Sequence, residues 1–345
     1  MIAKKIGFIC LGLVMTGLIK AQEPKDAVGY MDVIGKEFKN IQEVTWDYTT
    51  AVAHGKSAKK VEKKRDEVLA SNKAAINKIS RLKAWNGSSA LRDSALSYLN
   101  TNYAVLNHDF AKLVDMEEVA EQSYDLMEAY MLAKEKANEK LRIAGDMVDV
   151  QYDVFAAANN IKLIEGSDKL SKNIEIANQV YKHYNEVYLV FFKSYKQEAY
   201  LMAAMEKNDV NGIEQNKNAL AKTAADGLVK IAAVPLYKND KSLVIATTNM
   251  LNFYKDEAEK KLSNLSKFYV SKENFQKIKA AFDAKPQNQR KKEDVDQYNK
   301  AAEEANKESN NYNQVNNELN QKRTQLLDAY NKTNAAFTDK HVPQK

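Results

Sequence analysis

DMEEVAEQSYDLMEAYMLAKEKANEKL, residues Asp115–Leu141, contains neither Gly nor Pro, and its apolar residues recur at Met116, Ala120, Tyr124, Met127 and Met131. Successive residues of an α-helix turn through about 100°, so these positions close one face. Glu118, Glu121, Asp125 and Glu128 fall on the opposite face as a solvated acidic row. Asp115, followed three residues later by Glu118, predicts an N-cap and a capping box. The stretch reads as one amphipathic helix with no chemistry written on it.

The same grammar extends in both directions. Residues 26–54 carry Met31, Ile34, Phe38, Ile41, Thr45, Tyr48 and Val52 in alternating threes and fours, a coiled-coil-like heptad seam. Ser57 predicts the cap of a second helix, with Val61, Val68, Ala75, Ile79 and Leu82 on its seam. Trp85-Asn86-Gly87-Ser88 reads as a turn, and Leu91, Ala95, Tyr98, Leu99, Leu106, Phe110 and Leu113 follow at helical spacing. Gly145 predicts an end or bend before a helix from Asp146 through Asn159. From Ser167 to Glu206 there is again no Gly or Pro, enough for about 60 Å of helix. Its seam is aromatic: Tyr181, Tyr184, Tyr188, Phe191 and Tyr195. Such a row can be a stacking platform for sugars or bases, but aromatic rows at helical spacing usually form core.

Asn208–Gly212 is the best interior boundary. A helix follows to Ala233 before Pro235, another runs from Asp240 to about Val270, and Ser271 opens a short one stopped by Lys285-Pro286. Residues 76–103 align without gaps on 228–255, pairing Lys78 with Lys230, Ile79 with Ile231, Trp85 with Tyr237, Leu91 with Leu243, Leu99 with Leu251 and Asn100 with Asn252. This is a hint of two related hairpins. Residues 286–345 hold 11 Asn and 7 Gln. Tyr298, Ala302, Ala305, Tyr312, Leu319, Leu326, Tyr330 and Phe337 nevertheless keep a seam, so they read as a long helix in need of a partner surface, with disorder after Phe337. Disorder throughout is the rival, because Asn is a poor helix former.

With only 11 Gly and 4 Pro in 345 residues, and no alternating β-branched runs, the fold class is all-α. The expected architecture is an elongated multi-helix bundle of about eight to nine helices with up-down connections and a long C-terminal helix. The expected division is a signal peptide at 1–21, a first helical part at 22–207, a second at 208–285 and a tail at 286–345. Within 1–21, Lys4 and Lys5 form a basic start, Ile6–Ile19 an apolar core, and Ala21 precedes the expected cut. The apolar run of about 14 residues, broken by Gly7, Gly12 and Gly17, is short for about 30 Å of hydrocarbon. The only cysteine, Cys10, lies inside it, so the mature chain is expected to hold no disulfide, thiol nucleophile or Cys-based metal site. Loss of Lys4, Lys5 and Lys20, with no acid, takes the formal charge from +6 to +3. Charges of both signs are interleaved, so bulk charge does not suggest nucleic-acid binding.

Four histidines at 54, 108, 183 and 341 share no metal-ligand spacing, and Glu-x-x-His does not occur. No phosphate loop or nucleophile elbow is present. No catalytic, cofactor-binding or metal-binding residue is therefore assigned, and no cofactor. Lys56, Lys59, Lys60 and Lys63 form a stripe that could make weak contact with an anionic surface, or simply a solvated face balanced by Glu62, Asp66 and Glu67.

DMEEVAEQSYDLMEAYMLAKEKANEKL, then QYDVFAAANNIKL (151–163) and VYLVFFKSYKQEAYL (187–201), resemble a family of bacterial secreted or surface proteins of unknown function first named from a leptospiral member. The resemblance covers roughly residues 27–283, is strongest over 109–201, and implies an envelope or extracellular location without a mechanism. The expected function is thus an exported, non-catalytic helical envelope protein with an interaction or structural role and an unknown envelope or protein partner. A membrane-active, pore-forming-like protein is the alternative, although Ile231–Leu236 and Leu243–Ala246 are short for it. An enzyme with an unrecognised site is a third.

Overall fold

The computed structural model describes residues 24–109, 121–163, 169–262 and 265–344. Residues 1–21, with Cys10, Phe110 and Leu113, and the Asp115–Glu118 cap lie outside them. The described residues form nine α-helices and no strand: α1 (Ala27–Ala53), α2 (Ala58–Ile79), α3 (Ala90–Ala104), α4 (Tyr124–Ala158), α5 (Lys169–Glu206), α6 (Val210–Ala233), α7 (Ser242–Asp256), α8 (Leu265–Ala284) and α9 (Lys292–His341). The all-α expectation and the long C-terminal helix are both met.

The hinted repeat extends far beyond one hairpin. Trp85 and Ser88 pair in an antiparallel bridge, and so do Tyr237 and Asp240. Between them Asn86 and Gly87 take φ of 49° and 81°, and Lys238 and Asn239 take 48° and 62°. Positive φ at both central residues gives the same tight turn twice; Asn and Gly tolerate it, whereas Lys238 bears a Cβ cost. Helices α3 and α7 then begin at matching positions and each ends in a five-residue π-helical turn, Val105–Asp109 and Glu257–Lys261. Buried positions correspond throughout: Val68/Leu220, Ala75/Gly227, Ile79/Ile231, Leu91/Leu243, Leu99/Leu251 and Asn102/Tyr254. The buried residues Ala137, Val148 and Phe155 of α4 recur at the same spacing as Leu319, Tyr330 and Phe337 of α9. Phe155 packs on Tyr30 and Trp85, and Phe337 on His183 and Tyr237. One four-helix plan is thus written twice, as α1–α4 and as α5–α6–α7–α9, with α8 lying between α7 and α9 in the second.

One core joins α1, α2, α3 and the C-terminal half of α4 around Ile34, Ile79, Leu91 and Leu99. A second joins α5 to α9 and the first turns of α4 around Phe192, Leu201, Leu220 and Tyr254. A third, around Trp46, Val180, Val187 and Phe337, sets α1 against α5 and the end of α9. Each fully buried Leu or Ile contributes about 1.5–3 kcal/mol, so these seams hold the helices in place.

Several boundaries differ from expectation. Glu121 and Gln122 form a turn, and α4 starts at Tyr124, where Ser123 Oγ accepts from Leu126 N at 3.2 Å. The acidic row is therefore split, with Glu121 outside the helix and Asp125 and Glu128 exposed upon it. Helix α4 runs unbroken through Gly145, because Tyr98 of α3 lies across that position and packing overrides the weak local preference. The expected helix from Asp240 to Val270 instead passes into the π-turn at Glu257, where Leu262 N donates to Glu257 O at 2.8 Å. Helix α8 then begins at Leu265 and passes through Ser271 without a break. The expected boundary at Asn208–Gly212 is only a short turn, Lys207–Asp209, with Gly212 already inside α6, and the two helices it joins, α5 and α6, line one core. Beyond Phe337 the chain stays helical to His341 and buries Val342, so the expected disorder there is replaced by a docked helix end.

Candidate functional site: a buried carboxylate pair bridged by arginine

Three charged side chains from distant elements meet in the second core. Glu198 lies on α5 between Tyr195 and Leu201, and Glu257 opens the π-turn after α7. Arg323 projects from the middle of α9. Arg323 Nε donates to Glu198 Oε1 at 2.5 Å and Nη2 to Glu257 Oε1 at 2.6 Å. Its Nη1 donates to Asn320 Oδ1, and the guanidinium stands 5.7 Å from the centre of the Phe253 ring. The side chains are 15% (Arg323), 5% (Glu198) and 0% (Glu257) exposed. Glu257 follows Met250 by seven residues and Tyr254 by three, so the helical phase of α7 itself carries it inward, and the π-turn opens at that point.

Two carboxylates facing one guanidinium cannot both ionise cheaply in a dry core. Burial, then the negative field and hydrogen bond of Glu198, push the Glu257 carboxyl up to about 9, against the opposing pull of Arg323. The upward shift favours the protonated Glu257, in which form the cluster closes with no net charge. Its Oε2 and the nearby Tyr254 hydroxyl have no hydrogen-bond partner among the described residues. Burial first, then the two carboxylates, hold the Tyr254 phenol well above its usual range. A protonated acid beside a carboxylate is the raw material of acid–base chemistry, but both carboxyl groups are buried and only Arg323 reaches the surface. The arrangement locks α5, α7 and α9 together.

The first repeat shows that the plan folds without this cluster. Val105 stands where the second repeat has Glu257 and Leu141 where it has Arg323. There, Arg65 instead donates to the π-turn carbonyl of Leu106 at 3.1 and 3.3 Å, and Asn102 bonds Asn72 at 3.1 Å in the core.

A second polar cluster closes the end of α9. Asp240 Oδ2 accepts from Lys340 at 2.8 Å and meets His341 Nε2 at 2.8 Å, while Oδ1 accepts from Ser242 N at 2.9 Å. Burial alone would raise the Asp240 carboxyl, but these hydrogen bonds outweigh it and hold it well below the usual range. His183 stacks with Tyr237 and tilts against Phe337, and burial lowers its pKa. His54 Nδ1 meets Asp339 Oδ1 at 2.6 Å. Histidines scattered in sequence thus gather at one helix end, three of the four. No group of His, Cys, Asp and Glu among the described residues is arranged to hold a metal ion.

The remaining sequence candidates are surface features or core. Lys56, Lys59, Lys60 and Lys63 are exposed at the start of α2 and form no ion pair among the described residues. Glu67 pairs with Lys64 instead, at 2.7 Å. In the aromatic row only Phe191 is fully buried, stacked on Tyr330 at 4.1 Å. Tyr181, Tyr184 and Tyr188 are half-buried, and Tyr195 reaches the surface. Sequence reasoning missed Glu198, Glu257, Arg323 and Asp240. The available signal was a charge in an apolar register, since Glu257 continues the Met250–Tyr254 seam. Comparison with protein families, with curated proteins and with solved structures finds no match for this chain.

Proposed function

We propose that the protein is an exported, non-catalytic helical protein of the bacterial envelope with an interaction or structural role. The observation that carries this reading is the buried ion cluster: Glu257, its carboxyl raised by burial, is fully buried and bonded to Arg323 within a helix junction. Active sites need their shifted groups in reach of substrate, whereas buried ion pairs also serve to fix one packing arrangement. The surface supports the same reading, being built of long helix faces that suit contact with another macromolecule. No described helix is long and apolar enough to cross a membrane. The export part rests on Lys4, Lys5 and the apolar run Ile6–Ile19, and on the resemblance over residues 27–283.

Mass spectrometry of the protein recovered from the envelope and medium of its native host tests the export reading. The expected N-terminus is Gln22; an intact Met1 in the cytosolic fraction, or a lipid-modified Cys10, overturns it. Affinity capture from that envelope tests the role, with a stoichiometric partner retained and not chemically altered as the expected result.

A further inference from the structure

The outward face of α4 carries Ile143, Met147, Val150 and Val154, exposed by 46%, 61%, 56% and 56%. Their spacing of four, three and four lines them up on one ridge about three turns long. Met147 and Val150 also line a shallow cleft against Ala90 and Ser94 of α3. Isolated exposed apolar side chains are ordinary, but a contiguous row is a mark of contact.

The internal repeat supplies the control. The corresponding positions of α9 are Gln325, Ala329, Lys332 and Ala336, all exposed as well. One copy of the plan therefore dresses this face with polar and small residues, as solvent favours, and the other with large apolar ones. The fold does not require the ridge.

Charge narrows the occupant. Asp146, Asp149 and Asp153 flank the ridge, and Arg142 is shared between Asp146 and Glu139, at 2.7 Å from each. Asp149 and Asp153 form no ion pair among the described residues. Partial burial, then the fields of Asp146 and Asp153, hold the Asp149 carboxyl above its ordinary range. We infer that this face of α4 docks a cationic amphipathic helix of a partner protein. The partner's apolar stripe seats on Ile143–Val154, and its Lys or Arg side chains meet Asp149 and Asp153. A second copy docked through the same ridge brings the same aspartates, with its Arg142 already held by Glu139 and Asp146, and an anionic bilayer repels them. The inference names a partner class for the interaction role proposed above and rests on that role, but not on export.

The test uses the purified mature chain and a fluorescently labelled helical peptide with Leu at the core heptad positions and Lys at the flanking ones. Controls are the same peptide with Glu for Lys, and a scrambled peptide of identical composition. The Lys peptide is expected to bind at least tenfold more tightly than either control. Met147→Ser/Val150→Ser is expected to weaken it at least tenfold, and Asp149→Asn/Asp153→Asn to weaken it severalfold and flatten its salt dependence. These side chains are exposed, so an unchanged thermal melt verifies that each variant is folded. Absence of binding, equal binding of the scrambled peptide, or indifference to Met147→Ser/Val150→Ser overturns the inference. So does a dimer, or binding to anionic vesicles, that the same double variant abolishes. Because the peptide is presented to purified protein, a failure here leaves the export test and the envelope capture standing on their own results.

Discussion

Arg323 illustrates how unevenly single residues weigh in this molecule. Truncating it strands Glu198 and Glu257 in the core, and breaking a buried pair this way costs about 3–5 kcal/mol. Arg323→Ala is therefore expected to lose that much in urea melts, whereas Glu257→Gln, which mimics the protonated acid, loses far less. The pH dependence follows from the raised Glu257 carboxyl. An unfolded Glu ionises near 4.5, while the folded one keeps its proton to about 9, so its contribution is full below 4.5 and is lost as pH rises towards 9. His183, whose folded pKa is lowered, acts in the opposite sense below its unfolded value of 6.5. The discriminating window is thus pH 7 to 9, where the wild-type urea midpoint should fall and that of Glu257→Gln should stay level. A parallel fall in the variant would assign the effect to other groups. On the aromatic row, Phe191→Ala is expected to cost about 3–5 kcal/mol, and the half-buried Tyr188→Ala clearly less. The reverse order would make Tyr188, not Phe191, the core contact.

Helix α9 is the element whose behaviour depends most on its surroundings. Its composition is polar and rich in Asn, and by itself it is a poor helix. It is held along its length by Tyr312 stacked on Phe268, Arg323 in its ion cluster, Tyr330 on Phe191, and Phe337 with Val342 at the end. Asp240 grips its last turn through Lys340 and His341. Asp240→Ala should therefore fray the end of α9 while leaving its middle intact. Hydrogen exchange would show faster exchange confined to residues after about Ala335, with protection around Leu319–Tyr330 retained. The linkage sign is set by the lowered Asp240 carboxyl: the anchoring is present above the unfolded value of 3.8 and is lost as pH falls below it.

For the whole molecule, the duplication has a mechanical consequence. The last helix of the second copy is α9, so ending the chain at residue 285 removes the counterpart of α4 and leaves the cores of α5–α8 open. The sequence pattern suggests that such a truncation leaves a folded remainder; the packing reverses that expectation. Residues 22–285 are expected to bind hydrophobic dyes and lose a cooperative urea transition for α5–α8, while α1–α4 retain their own core. A single sharp transition at the full-length midpoint would show α9 to be dispensable.

Helicity was legible in the chain itself, because the 3.6-residue spacing of apolar groups and the scarcity of Gly and Pro are local properties. So were the Trp85–Ser88 turn and the stop at Pro286, each set by backbone chemistry within a few residues. The repeat was visible only as five identities, because burial preserves size and polarity at a position and not the residue itself. Helix junctions were less legible: the start of α4 and the π-turn at Glu257 depend on what each helix packs against. Of the ion cluster, only a charge in an apolar register was legible, and not its partners. A Glu in an apolar register becomes a core residue only when an Arg from another helix meets it, and Arg323 lies 125 residues from Glu198 and 66 from Glu257. Periodicity determines which face of a helix is apolar; only the tertiary structure decides which faces meet, and therefore which charges are buried together.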